Sequence, residues 1–350
     1  MRTVLAVILV AGAGAAAQRD TAGIKPTAVT LKKDVAVLGE VAAKVSNAGA
    51  GLIVKIEPAA TAKAKCAVAF ERTPIWDALE AAADQTKTRL TLREGGRVVV
   101  LEPRPAARET SAISGPFRIV PRAVTGRLLL DRGVAFHDVD LDVHWEPRMP
   151  VFRIDTQPKI TRAVDDRGVA LTAEGGSSSH HPTSAVTEMK VRLVGLTRES
   201  KQIATLEGEF RATVAEKLLT IPFNGLAGKY PMTSENDGVK VVLKSFKKEA
   251  NTWDAELELT YPENHPAFES FEEQKWLRDN RLRLRDPNAA SWEPDNDDVT
   301  ASGRKVSATY RFKLLPNTNP IARGWSLVCE TPSPLKEVKV PFVLKNIPLP

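Results

Sequence analysis

Residues 28 to 103 alternate between short apolar runs and two stretches with helical spacing. In the second stretch apolar residues recur at i, i+3, i+4 and i+7, which predicts a helix with one buried stripe formed by Ile75, Ala78, Leu79 and Ala82. We expect Thr73 to cap this helix and Pro74 to occupy its first position. Alternating "TRLTL" and "RVVVL" then flank Gly95 and Gly96, which predicts a β-hairpin with a tight turn.

The preceding segment has the same plan. A strand is expected near residues 29–31 and a helix cap at Asp34, followed by a buried stripe of Leu38, Val41, Ala42 and Val45. The glycine-rich "NAGAG" ends this helix before a strand at residues 52–56. The predicted order is βαβ followed by βαββ, with both helices covering one face of a small sheet.

Beyond residue 116 the apolar pattern changes to period two, which predicts strands and turns. Only "AEKL" and "FESFEEQKWLRDN" have a pattern that fits a brief helix. Residues 137–152 align without a gap on residues 253–268, so that Leu141 meets Leu257 and Trp145 meets Tyr261. "KLLTIPFNGL" likewise aligns on "KEVKVPFVLK". Because the spacing is near 115 residues, we predict two tandem immunoglobulin-like β-sandwiches, with chance alignment of similar strands as the alternative.

The chain is therefore predicted to be a multidomain protein. A small α+β domain occupies residues 26–103, a linker residues 104–115, the first sandwich residues 116–228 and the second residues 236–350. The linker prediction rests on "EPRPAARETSAISGP", which has several turn formers and no apolar period.

The first 20 residues, "MRTVLAVILVAGAGAAAQRD", have the three parts of a secretory signal peptide. A positive charge at Arg2 precedes an apolar run from Val4 to Val10, and small residues follow up to Ala17. The alternative, a retained anchor, is disfavoured because the run is much shorter than the roughly 20 residues that span a bilayer. We predict a signal peptide over residues 1–17, an exported chain that is periplasmic or extracellular, and no integral membrane segment after cleavage.

The charge of the chain favours some partners over others. The formal net charge is +6, and loss of Arg2, the single charged residue in the predicted signal peptide, leaves 6 − 1 = +5. This surplus suits an anionic envelope surface. Lys and Arg are scattered without interleaved aromatic residues, so a nucleic-acid partner is not predicted.

The "TPIWDALEAAADQT" segment carries a family resemblance. Residues 26–103 resemble the short N-terminal domain shared by secretins and TonB-dependent receptors, with Ala78 and Leu79 at the "AL" of the family's helix. The resemblance covers less than a quarter of the chain, and a generic two-helix α+β domain is the alternative. It implies a periplasmic domain that docks on other proteins or on envelope polymer and carries out no chemistry.

Few residues are candidates for chemistry. Asp138, Asp140, Asp142 and His144 alternate on one strand face, as metal ligands would, but the aligned second copy has Asp254, Glu256, Glu258 and Thr260, which favours a solvent-facing side. His180 and His181 lie in a Gly- and Ser-rich stretch that we interpret as a flexible loop. Cys66 and Cys329 fit buried free thiols better than a disulfide. We therefore predict no catalytic residue, no cofactor and no metal.

These observations favour an exported, non-catalytic protein of the cell envelope that binds a protein partner through its N-terminal domain, with the sandwiches as spacers or a second docking face. Two alternatives stay open. One is binding of cell-wall polysaccharide through aromatic residues such as Trp145, Tyr261, Trp253 and Trp276, and the other is a hydrolase whose acids come from separate loops.

Overall fold

A computed structural model describes residues 24–33, 35–105, 110–131, 133–176, 178–263, 265 and 280–350. Strands make up 56% of the chain and α-helices number two among these residues, so the prediction of a mostly β protein is confirmed. The predicted signal peptide, the predicted cap Asp34 and most of "FESFEEQKWLRDN" lie outside the described residues.

Both α-helices lie in the N-terminal region, which we define as residues 24–105. Its elements are β1 (Ala28–Leu31), β2 (Ala36–Val37), α1 (Leu38–Ser46), β3 (Ile53–Ile56), β4 (Lys65–Cys66), β5 (Phe70–Pro74), α2 (Ile75–Thr86), β6 (Thr88–Arg93) and β7 (Val98–Pro103). A three-stranded sheet has the order β3-β7-β6, in which β3 and β7 are parallel and β6 and β7 form an antiparallel hairpin. Two further pairs, β1 with β5 and β2 with β4, complete the region.

The helices bury the stripes that their apolar spacing predicts. Leu38, Val41 and Val45 of α1 join Ile75 and Leu79 of α2 in one core. The prediction that Thr73 caps α2 is wrong. The helix begins at Ile75 after an extended Pro74, and Thr73 belongs to β5, where it pairs with β1.

Two sheets share the next core and are consistent with a β-sandwich, which we call the first sandwich. Its strands are β8 (Ala112–Ser114), β9 (Phe117–Leu129), β10 (Val134–Trp145), β11 (Val151–Asp155), β12 (Lys159–Asp165), β13 (Thr172–Glu174), β14 (Ser179–His180), β15 (Val186–Val194) and β16 (Gln202–Val214). One sheet has the order β13-β15-β10-β9-β8 and the other β12-β16-β11-β14.

A second pair of sheets, also consistent with a β-sandwich, follows and is called the second sandwich. Its strands are β17 (Leu218–Asn224), β18 (Met232–Asn236), β19 (Val239–Glu249), β20 (Thr252–Thr260), β21 (Arg281–Arg285), β22 (Ser291–Trp292), β23 (Asn296–Ser302), β24 (Lys305–Phe312) and β25 (Ser326–Pro332). The sheet order β23-β24-β20-β19-β18 matches that of the five-stranded sheet in the first sandwich. Leu141 in β10 and Leu257 in β20 are both buried at the centre of these sheets.

The last strand, β26 (Lys336–Pro348), returns to the first sandwich and pairs along β16. Conversely, β17 follows β16 directly in the chain but pairs with β25 of the second sandwich. The two sandwiches therefore exchange their final strands. The two connections, residues 215–217 and 333–335, run side by side, and the Ser333 amide donates to the Lys217 carbonyl at 2.9 Å.

The exchanged strands bury equivalent side chains. Leu219, Ile221 and Phe223 of β17 lie in the core of the second sandwich. The residues aligned with them in β26, Val338, Val340 and Phe342, lie in the core of the first. The predicted boundaries at 228 and 236 follow the sequence repeat. The strand pairing does not, because β17 of the first repeat pairs in the second sandwich and β26 of the second repeat pairs in the first.

Candidate functional site

The N-terminal region is anchored to the first sandwich through α2. The indole Nε1 of Trp76 donates a 3.0 Å hydrogen bond to the Pro116 carbonyl, and both groups are buried. One turn further along α2, Glu80 accepts from Arg118 Nε at 2.7 Å. Arg118 is only 1% exposed, so this ion pair lies inside the contact rather than at its rim. Ser111, within the predicted linker, also donates to Glu80, at 3.0 Å.

A second anchor surrounds the buried carboxylate of Glu146. Its oxygens accept from the Thr27 amide at 2.8 Å and from the Thr27 hydroxyl at 2.6 Å. Arg148 Nε lies 2.6 Å from the same carboxylate, and the Arg148 amide donates to the Ala50 carbonyl at 3.0 Å. A buried carboxylate that is paired and hydrogen-bonded in this way holds its partners in one arrangement.

The third anchor is the turn of the β6–β7 hairpin. The Ala185 amide donates to the Gly95 carbonyl at 2.8 Å. Gly96 has a φ of +84°, and a Cβ built on it would lie 2.9 Å from the Ala185 carbonyl oxygen. Glycine is therefore required at this position, both for its backbone conformation and for the close approach.

This turn forms one wall of the junction cleft, a concavity of about 760 Å³ where the N-terminal region and both sandwiches meet. The other walls combine polar groups with apolar side chains and prolines in comparable amounts, and the apolar part includes Pro147, Pro150, Phe152, Pro182 and Leu218. Arg97 and Arg281 also line the cleft, and neither forms an ion pair with any of the described residues. A concavity in which apolar side chains and converging polar groups meet is a candidate binding site.

A second concavity of about 620 Å³, the inner cavity, separates β6 from the outer face of β9, β10 and β15. His144 lines it and is 5% exposed, and its Nδ1 has no hydrogen-bond partner among the residues that the structure describes. Burial, together with the charge of Arg118, lowers the pKa of His144 to about 3. Burial also raises the pKa of Asp142, although Arg122 at 3.7 Å opposes that effect.

The acidic face of β10 differs in part from its prediction. Asp140 and Asp142 are half-buried, beside Lys190 at 3.5 Å and Arg122 respectively. Asp138 and His144 are buried, so the predicted solvent-facing side is wrong for both. Arg192 pairs with Asp138 at 2.9 Å and thereby lowers the pKa of this carboxyl. Among the described residues no group of three His, Cys, Asp or Glu side chains is placed to hold a metal.

The histidine pair lies in ordered structure, and the flexible-loop prediction is wrong for it. His180 belongs to β14, and its Nε2 lies 2.8 Å from the Thr187 hydroxyl. His181 Nδ1 lies 2.7 Å from the Phe152 carbonyl oxygen, and its ring meets the Phe152 ring edge to face at 4.8 Å. These contacts fix one wall of the junction cleft.

The cysteines are both free and buried, as predicted. Burial raises the pKa of Cys66, and it raises that of Cys329 to about 12. Trp145 and Tyr261, two of the aromatic residues considered for sugar binding, are buried and belong to the sandwich cores.

The sequence did not identify the junction cleft. Its residues come from the β6–β7 turn, the segment after β10, the segment before β15, and the starts of β17 and β21. The one local signal is an apolar residue, Leu218, that remains exposed at the start of a strand.

No protein-family model matches the chain, and no curated protein matches it. Within the part of the chain that the structure describes, no helix combines the length and the hydropathy needed to cross a bilayer.

Proposed function

We propose that this chain is an exported, non-catalytic protein of the cell envelope that binds another protein through its N-terminal region, with two immunoglobulin-like sandwiches as spacers and second docking face. The observation that carries the proposal is the junction cleft. It combines the hairpin turn of the N-terminal region with apolar walls from the sandwiches and two arginines that pair with none of the described residues.

The chemistry of the cleft indicates the kind of segment that fits it. Prolines, Phe152 and Leu218 offer an apolar lining, which suits the side chains of an extended peptide. Arg97 comes from the N-terminal region and Arg281 from the second sandwich. The cleft is also lined by the carboxylate of Glu94, which lies 3.7 Å from Lys55, so the two arginines favour carboxylates on that peptide. We infer that the partner presents an extended acidic segment with apolar residues.

The location and the lack of catalysis rest on the sequence. The pattern of residues 1–17 and the resemblance of residues 26–103 to the short N-terminal domain of secretins and TonB-dependent receptors support the envelope. N-terminal sequencing of the exported protein should begin at Gln18.

The proposed lack of catalysis rests on the kind of residue that recurs. The repeated residues are prolines, aromatics and alternating apolar residues, which determine the shape of the domains. Any measured catalytic activity that disappears when Asp140 and His144 are substituted would contradict this part of the proposal.

Site-specific cross-linking in the native envelope tests the binding site. A photoreactive residue replaces Leu218 in the junction cleft, and in the control it replaces Leu315, which is 80% exposed in a loop of the second sandwich. We expect a discrete cross-linked protein from position 218 and none from position 315. Equal cross-linking from both positions would mean that the cleft is not the docking site.

Charge reversal then tests the inferred chemistry of the partner. Arg97→Glu and Arg281→Glu should each reduce the cross-linked product by about fivefold or more, because a like charge replaces an attraction. Arg323→Glu is the matched control, since Arg323 is exposed and lies outside the cleft. An undiminished product in both cleft variants would exclude an acidic segment.

A further inference from the structure

The hairpin between β9 and β10 extends beyond the sheet to which it belongs. The pairing of β8 with β9 reaches only to Ile119, and the pairing of β15 with β10 begins at His137. Leu129, Leu128 and Arg127 pair with Val134, Ala135 and Phe136, and no third strand flanks them among the described residues. We call residues 127–131 and 133–135 the hairpin tip.

The hairpin tip exposes apolar side chains on both of its faces. Leu128 is 56% exposed, Leu129 39%, Leu130 85% and Val134 40%. Consecutive strand residues point to opposite sides, so Leu128 and Leu129 present apolar surface in opposite directions. A surface that docked on one flat partner would need only one of these faces to be apolar.

The equivalent hairpin of the second sandwich has a polar tip. β19 and β20 occupy the same places in their sheet as β9 and β10, and the residues at their turn are Lys247, Lys248, Glu249, Ala250, Asn251 and Thr252. Lys247 and Glu249 form an exposed ion pair at 2.8 Å. The fold therefore does not require an apolar tip at this position.

We propose that the hairpin tip inserts into the surface of an anionic lipid bilayer. A fluid apolar medium covers both faces of a narrow ribbon at once, and the short reach from Leu128 to the turn fits an insertion of about 5–10 Å. Residues 127–135 contain two arginines and one aspartate, a net charge of 2 − 1 = +1 beside the exposed leucines. The side chain of Arg127 lies 3.9 Å from Asp138 but is 56% exposed, and anionic headgroups would contact its exposed part.

Co-sedimentation with lipid vesicles tests the proposal, with purified protein that lacks residues 1–17. We expect binding to vesicles that contain phosphatidylglycerol, weaker binding to pure phosphatidylcholine, and a decrease at raised ionic strength. The double substitution Leu128→Ser and Leu130→Ser should reduce partitioning by about tenfold or more, because it removes the inserted apolar area. Leu315→Ser removes an equally exposed leucine from the second sandwich and should leave partitioning unchanged.

Fluorescence identifies which part of the protein enters the bilayer. A tryptophan at Leu130→Trp should shift to the blue and be quenched by brominated lipid, whereas Asn251→Trp at the polar hairpin should show neither effect. The proposal is overturned if the wild-type protein does not bind anionic vesicles, or if the double variant binds as well as the wild type. It is also overturned if position 130 cross-links to a protein in the envelope while vesicle binding is absent, since the tip would then be a protein-docking surface.

Discussion

The two sandwiches share a strand order but differ in what covers their five-stranded sheets. In the first, His144 of β10 pairs with Arg118 of β9, and both are buried beneath the N-terminal region. At the matching position of the second, Thr260 of β20 pairs with Lys240 of β19, and Lys240 is exposed. The strand pattern alone therefore leaves this face polar and open. In the first sandwich, docking of the N-terminal region buries Arg118 and His144 on this face.

Charged residues of the two five-stranded sheets also differ in where their ion-pair partners lie. The buried Arg118 has its ion-pair partner, Glu80, in a helix of the N-terminal region. In the second sandwich the exposed Lys247 and Glu249 pair with each other, and the half-buried Asp254 and Glu258 pair with Arg311 and Lys244 of neighbouring strands. Since surface pairs contribute little to stability and buried pairs are costly to break, the same kinds of residues have different energetic importance in the two sandwiches.

The largest expected effect concerns the exchanged strands. Phe342→Ala and Phe223→Ala should each cost about 3–5 kcal/mol of unfolding free energy, because both rings are buried in a core. Hydrogen exchange should show that Phe342→Ala loosens residues 117–214, although Phe342 belongs to the second sequence repeat. Phe223→Ala should loosen residues 239–330 instead. The opposite assignment would show that the strands are not exchanged.

Removing the partner of Arg118 is expected to have the next largest effect. Glu80→Ala removes the carboxylate that lies 2.7 Å from the buried Arg118 guanidinium and should cost about 3 kcal/mol. Glu249→Ala, which breaks the exposed pair with Lys247 in the second sandwich, should cost less than about 1 kcal/mol. Urea midpoints of the two variants give the comparison. Equal losses would mean that the Arg118–Glu80 pair stabilises the contact no more than an exposed pair does.

A smaller loss is expected at the hairpin turn of the N-terminal region. Gly96→Ala forces a side chain against the Ala185 carbonyl at a positive φ and should cost about 2–3 kcal/mol. Gly303→Ala is the control, since its φ is also positive but nothing lies within 4 Å of an added Cβ. Its cost should be about 1 kcal/mol. Similar thermal shifts for the two variants would mean that the hairpin turn tolerates a wider separation from Ala185.

Local pattern predicted most of the strands and the cores, because alternation records which side of a strand is buried. Leu141 and Leu257 are buried at equivalent central positions for this reason. The strand exchange was not predictable in the same way. Leu219, Ile221 and Phe223 of β17 have the spacing of Val338, Val340 and Phe342 of β26, so each strand suits either sheet. Which sheet each strand joins depends on the direction that the chain takes through the two short connections, residues 215–217 and 333–335, and the local pattern of apolar residues contains no information on that direction.

The candidate site was unpredictable for a related reason. The junction cleft brings together Arg97, Leu218 and Arg281, which are far apart in sequence and belong to no motif. The burial of Asp138 and His144 likewise depends on neighbours outside their own strand. The prediction from alternation was sound for an isolated sheet and failed at the positions that other residues cover.

The smallest effect that separates the two sandwiches is a dependence of stability on pH. The pKa of His144 falls from 6.5 to about 3 on folding, so the unfolded chain binds a proton that the folded chain excludes. Stability should therefore decrease as the pH falls below 6.5, by about 2 kcal/mol at about pH 5. Above 6.5 the imidazole is neutral in both states, and the group adds no pH dependence.

Replacing His144 by the residue of the second sandwich isolates this contribution. His144→Thr leaves Arg118, Asp142 and Glu188 around the inner cavity but removes the imidazole. The variant is expected to be less stable at neutral pH because a buried ring is lost, yet its stability should fall less steeply between neutral pH and about pH 5. Denaturation midpoints measured across this range give both slopes. An unchanged slope would mean that His144 is protonated in the folded protein, and the inner cavity would then have to be open enough to hydrate an imidazolium beside Arg118.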